Sequence, residues 1–98
     1  MVKNCITIDI GASSGRIIEG ILEEDKIDIK EIYRFKNNMT FLNGHYYWNI
    51  DELFNEIVEG LKVLANDKSV IESIGIDTWA VDYALLDDKE NRNSVSAV

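Results

Sequence analysis

Asp9, Gly11, Ala12, Ser13, Ser14, Gly15 and Arg16 fall within one short stretch, ITIDIGASSGR from Ile6 to Arg16, and their types suit an anion site. Gly11 and Gly15 bracket the small residues, so the backbone can turn sharply and an anion can approach N–H groups with little side-chain bulk in the way. Two serine hydroxyls add donors and Arg16 adds a positive charge. Asp9 ends an otherwise apolar run, Thr7 apart, that reads as a strand buried on both faces. A carboxylate placed there carries a desolvation cost and calls for a hydrogen bond, an ion pair or a cation. No Gly-Lys-Ser/Thr follows at the Walker spacing, and no G-x-G-x-x-G opens a helix. Residue types alone also fit an ordinary hairpin whose Asp9 caps the turn.

A second group lies near the other end. The apolar segment Ile71 to Asp77 reads as a strand that closes, like the first, on a carboxylate. In open sheets with parallel strands, ligands collect at that end. Trp79 then reads either as a core aromatic or as a wall for a small polar ligand, with Thr78 and Asp82 as hydrogen-bonding neighbours. Asp82 equally fits an outward-facing strand residue. His45, the only histidine, sits in a polar loop without a partner in view and reads as a surface residue. With one cysteine and one histidine, a zinc site built on those types is not expected.

The elements that would position these groups follow from patterning. IIEGIL after Arg16 suggests a second strand, and Glu23 to Lys26 an acidic turn. Ile27, Ile29, Tyr33 and Phe35 then alternate with charged residues, predicting a third strand with one apolar face, bulged where Glu31 and Ile32 invert the order. Three strands on short turns form an antiparallel meander. Asn37 to Tyr47, with Asn43-Gly44, reads as a loop or small hairpin. Asn49 with Glu52 makes an N-terminal capping pair. Ile50, Leu53, Phe54, Ile57, Val58, Leu61 and Leu64 recur at helical spacing, predicting a helix that ends near Ala65 or Asn66. Val81 to Leu86 reads as a fifth strand after Ile71 to Asp77, followed by a turn at Asp87 to Asn91. The expected class is α/β, in the order β-β-β-α-β-β.

Composition narrows the partners. The 98 residues fit one domain with a modest core, and 46% hydrophobic content is enough for a globular fold. A net charge of −8 argues against a general nucleic-acid or anionic-membrane surface, so an anionic ligand needs a local site. Cys5 alone cannot form an intrachain disulfide, and a buried reduced thiol fits a cytoplasmic location. The N-terminal apolar run is too short for a signal h-region or a membrane span.

Three stretches carry a resemblance: DIGASSGR at Asp9 to Arg16, NGHYYWNIDEL at Asn43 to Leu53, and SIGIDTWAVDYALLD at Ser73 to Asp87. They resemble the N-terminal part of the FGGY carbohydrate kinases, in the actin and hexokinase superfamily, and the tryptophan-bearing stretch narrows the likeness to the rhamnulokinases. The resemblance runs to about Asp87. It implies a ribonuclease-H-like N-terminal half-domain over residues 1–98, with an ATP-phosphate turn at 9–16 and a sugar-side segment at 77–83.

The same resemblance implies that Ala12, Ser13, Ser14, Gly15 and Arg16 contact ATP and that Asp9 faces Mg²⁺ through water. L-Rhamnulose would lie against Trp79 and Ala80. Ala80 departs from the glycine usual at that position, and ENRNSVSAV at the C-terminus leaves the family pattern. In the family a second lobe supplies the catalytic aspartate that takes the sugar hydroxyl's proton. No residue here is expected to replace it, so catalysis by these 98 residues alone is not expected. The implied function is that of a fragment of an ATP-dependent L-rhamnulose kinase. Another FGGY sugar kinase and a non-catalytic nucleotide-binding or structural module are the alternatives.

Overall fold

The computed structural model describes residues 2–66 and 70–89. A long strand β1 (Val2–Ile10) returns through the Gly11–Ser13 turn as β2 (Ser14–Glu23), and β3 (Lys26–Lys36) completes the meander. A small hairpin of β4 (Met39–Leu42) and β5 (His45–Trp48) leads into helix α1 (Ile50–Ala65), and β6 (Ile71–Thr78) comes last. The main sheet has the order β3-β2-β1-β6, with β1 antiparallel to β2 and parallel to β6. The meander, the helix and the parallel return agree with the sequence.

One expected strand is corrected. Val81 to Leu86 is not a strand: the segment is irregular apart from an isolated bridge at Leu86. Val81 has φ of +75° and is almost fully exposed, a backbone state that a β-branched residue rarely holds and that no extended strand contains. Of the two readings for Asn37 to Tyr47 the small hairpin holds: β4 pairs with β5, with Asn43 and Gly44 both at positive φ, as a two-residue Asn-Gly turn requires. The described order is therefore β-β-β, hairpin, α, β. The predicted turn at Asp87 to Asn91 is described as far as Lys89, whose N–H donates to Asp87 Oδ1 at 2.9 Å; the rest of it and the terminal ENRNSVSAV lie outside the described residues.

The bulge in β3 has a larger effect than the sequence suggested. Ile17 pairs with Tyr33 but Ile18 pairs with Glu31, so Ile32 is the extra residue. One inserted residue reverses the faces of everything before it. Tyr33 and Phe35 therefore share the helix-covered face with Ile17 and Gly15, while Ile27 and Ile29 are sent to the opposite face and stay exposed. The four apolar residues do not form one face.

The core lies between the sheet and α1. Ile6, Ile8, Ile10, Ile17 and Leu64 are buried, and Leu53, Ile57, Leu61, Tyr33, Ile71 and Trp79 pack around them. The helix begins as predicted: the Asn49 side chain accepts from Glu52 N–H at 3.1 Å, and its amide donates to Glu52 Oε2 at 3.1 Å. It rests on β2 and β3, and Gly60 lets it approach Ile17 and Tyr33 closely. Ile74 and Ile76 of β6 remain exposed. No described helix is long and apolar enough to cross a membrane.

Candidate functional site

Parallel pairing of β1 with β6 sets Asp9 directly opposite Asp77 and Ile10 opposite Thr78. The N–H of Trp79 then donates to Ile10 O at 3.2 Å. The two carboxylate-ended strands and the segments that leave them thus meet at one end of the sheet. Asp9, Arg16 and Asp77 lie on the face away from α1, because Ile8 and Ile10 alternate with Asp9 and point into the core.

Arg16 holds this corner together. Its Nη1 donates to Asp9 Oδ2 at 2.5 Å, and its Nη2 donates to Ser14 Oγ at 3.0 Å and Ser14 O at 3.3 Å. Asp9 and Asp77 sit side by side across the parallel pair, where their carboxyls can share a hydrogen bond. The bond to Asp77, then the Arg16 charge, hold Asp9 below the usual carboxylate range against partial desolvation. Asp77 is pushed up, first by its bond to Asp9, then by desolvation and the Asp9 charge. Of the two, Asp9 is the stronger acid and Asp77 the weaker.

The turn is narrow and tied twice. Gly11 N–H donates to Ser14 O at 2.9 Å. Asn37, just after β3 and buried, donates its backbone N–H to Ser13 O at 3.0 Å and its side-chain amide to Gly11 O at 2.9 Å. Ala12 and Ser13 remain exposed and Ser14 half-exposed. Gly15 is buried with its α-carbon facing the Phe35 ring, and an added Cβ would lie 2.2 Å from Phe35 Cζ. Packing alone thus accounts for that glycine. Sequence reasoning missed Asn37; the only signal was a polar Asn at the end of the third strand.

On the other side, Trp48 and Trp79 stack with centroids 4.5 Å apart at 44°. Both indoles donate to Asp82 Oδ2, at 2.8 and 2.7 Å. Asp82 is therefore an interior acceptor in an irregular segment and not an outward-facing strand residue. Trp79 combines the two roles the sequence left open, since it packs on the core and also lines a cavity of about 140 Å³ with Trp48, Ile50, Asp82, Tyr83 and Ala84. Ala80 is exposed beside it. Trp48 was missed as a site residue, although it stands in the quoted stretch before the helix. His45 is exposed, with the Tyr47 ring as its aromatic neighbour. Cys5 is half-buried on the face away from the helix, less enclosed than expected.

No known family profile matches the chain. Curated proteins do: it is 45% identical over 97 residues to the rhamnulokinase of Ligilactobacillus salivarius, which covers 97% of the chain and 20% of that enzyme. It is 51% identical over 85 residues to the rhamnulokinase of Bacillus subtilis, covering 87% of the chain and 18% of the enzyme. The chain is a relative of the rhamnulokinases. The rhamnulokinase of Bacteroides thetaiotaomicron gives the same picture, at 45% over 86 residues. The chain spans about a fifth of the length of these rhamnulokinases. In the L. salivarius rhamnulokinase the similarity covers nearly the whole chain, past Asp87, where the quoted stretches end.

Among the described residues, no group of three or more His, Cys, Asp and Glu side chains converges as a metal site. The paired carboxylates at Asp9 and Asp77 still fit Mg²⁺, which is usually bound through one or two carboxylates, with waters and phosphate oxygens completing its shell.

Proposed function

We propose that the chain forms part of the sugar-binding lobe of an ATP-dependent kinase that phosphorylates the C1 hydroxyl of L-rhamnulose in the cytoplasm. The observation that carries this reading is the meeting of the Arg16-braced turn and the Trp48–Trp79 cavity at the ends of two adjacent parallel strands. Similarity to the rhamnulokinases supports the choice of substrate.

In this reading the exposed backbone and hydroxyls of Ala12, Ser13 and Ser14 face the ATP phosphates. Gly15 keeps the turn thin by packing on Phe35. Arg16 orients Ser14 and offsets the charge of Asp9. Asp9 and Asp77 would hold Mg²⁺, Asp9 through water; the ion, when bound, neutralises charge on the transferring phosphoryl group. The ketose packs on Trp79 beside Ala80. Asp77 is paired with Asp9, and Asp82 is committed to two indoles, so neither is placed to take the proton from the sugar. That step belongs to a second lobe, whose closure brings the reactants together.

A chimera tests the reading. The matched fifth of the B. subtilis rhamnulokinase is replaced by this chain, and ATP-dependent phosphorylation of L-rhamnulose is measured beside other ketoses. Turnover of L-rhamnulose by the chimera, with none by the 98-residue chain, supports it. A folded but inactive chimera overturns it, and preference for a different ketose moves the chain to another FGGY specificity. Ala80→Gly in the chimera reads whether the methyl group crowds the sugar: KM falls if it does.

A further inference from the structure

We propose that Asp82 is the positioning residue that fixes the Trp48–Trp79 pair as the wall of the cavity. Its role in presenting that wall to a ketose rests on the reading above; its role in holding the indoles does not.

The two indole N–H groups come from distant parts of the chain, Trp48 at the end of β5 and Trp79 just past β6, and both donate to one atom, Asp82 Oδ2. A buried indole N–H needs an acceptor, and a carboxylate gives the stronger, charge-assisted bond. Two donors on one oxygen anchor the two ring edges at a single point and so restrict how the rings meet, here at 44° with centroids 4.5 Å apart.

Apart from its packing on the core, little in its own segment aims Trp79. The segment it opens is irregular, with Val81 at positive φ, and Trp79 is tied to the sheet by its N–H on Ile10 O. Asp82 is also the one charged group among the six residues lining the cavity. Aromatic and aliphatic walls with one fixed carboxylate suit a small polyhydroxylated ligand, whose C–H face stacks on an indole while a hydroxyl donates to the acid. Asp82 thus determines both the tilt of the wall and the polarity at its edge.

The chain has two tryptophans, Trp48 and Trp79, so the far-ultraviolet exciton couplet of its stacked indoles reports this pair alone. The experiment compares circular dichroism of the 98-residue chain with Asp82→Ala and Asp82→Asn, using Trp48→Phe as the zero-coupling control and the helical band as the measure of folding. We expect a couplet in the parent that is lost in Asp82→Ala and reduced in Asp82→Asn, whose neutral amide oxygen replaces two charge-assisted bonds with weaker ones. If Asp82→Ala loses its helical band, Asp82→Asn decides.

A couplet of parental size in the folded variants, or none in the parent, overturns the proposal. Titration with L-rhamnulose forms the second arm. The parent couplet should respond, and Asp82→Asn should need about tenfold more ketose, the loss of one good hydrogen bond. An equal response in both overturns the role toward ligand. A couplet that depends on Asp82 but ignores ketose leaves the clamp standing and counts against the sugar reading instead.

Discussion

Asp9 and Asp77 show how two identical residues at matched strand ends acquire opposite chemistry. Arg16 binds Asp9, so a proton shared by the pair is held more tightly at Asp77 than at Asp9. Asp77 has a folded pKa above the ordinary 3.8, so the stability it contributes is complete below 3.8 and is lost as pH rises through its raised value. Asp9 is depressed, and its contribution is present above 3.8 and lost as pH falls through its lowered value. Asp77→Asn supplies an amide that donates to Asp9 at every pH. We expect its melting temperature to match the parent near pH 3.8 and to exceed it at neutral pH; a gap that is constant with pH would mean no shared proton. Gly15 makes a second residue-scale prediction. Gly15→Ala drives a Cβ into the Phe35 ring and should cost roughly 1–3 kcal/mol in urea unfolding, partly recovered by Phe35→Leu in the same chain. Unchanged stability would return that glycine to a purely nucleotide-facing role.

Among the elements, α1 depends on one small residue. Its sequence pattern predicts the helix well, with Asn49 as cap and an apolar stripe from Leu53 to Leu64. Propensity disfavours Gly60 in such a helix, and its neighbours explain it: a Cβ there would lie 2.3 Å from Ile17 Cδ1 and 2.9 Å from Tyr33 Cδ2. Gly60→Ala gains about 1 kcal/mol of helix propensity, yet overpacking by roughly 1–3 kcal/mol outweighs it. Net destabilisation, measured as a lower denaturant midpoint, is the expected result; a more stable variant would show that the helix can shift outward without loss. The bulge at Ile32 plays a comparable part in β3, since it alone turns Tyr33 and Phe35 under this helix.

For the whole molecule the open question is what covers the sheet. Among the described residues β6 pairs with β1 alone, and Ile74 and Ile76 are more than half exposed on it; Ile27 and Ile29 are likewise exposed on β3. An edge strand with uncovered apolar side chains is a template for further pairing. The 98-residue chain is expected to self-associate in sedimentation velocity, and Ile76→Lys to shift it toward monomer. A monodisperse, cooperatively unfolding parent would sink this expectation.

By itself the sequence determined the local features. Apolar runs bounded by turns specified the strands of the meander, helical spacing specified α1, and the Gly-Ser stretch after an acid marked the turn, because each depends on residues within a few positions of one another. Its quoted stretches also carried the likeness to the rhamnulokinases. What tertiary structure decided was everything set by pairing at long range. Register placed Asp9 against Asp77 and so moved their acidities apart. One unpaired residue at Ile32 divided the apolar residues of β3 between two faces. Asn37 reached back to the turn, and Trp48, Trp79 and Asp82 met from separate elements. The segment from Val81 to Leu86 has strand-like residues but no described strand, because β propensity reports side chains that fit a sheet and cannot by itself supply the neighbouring strand.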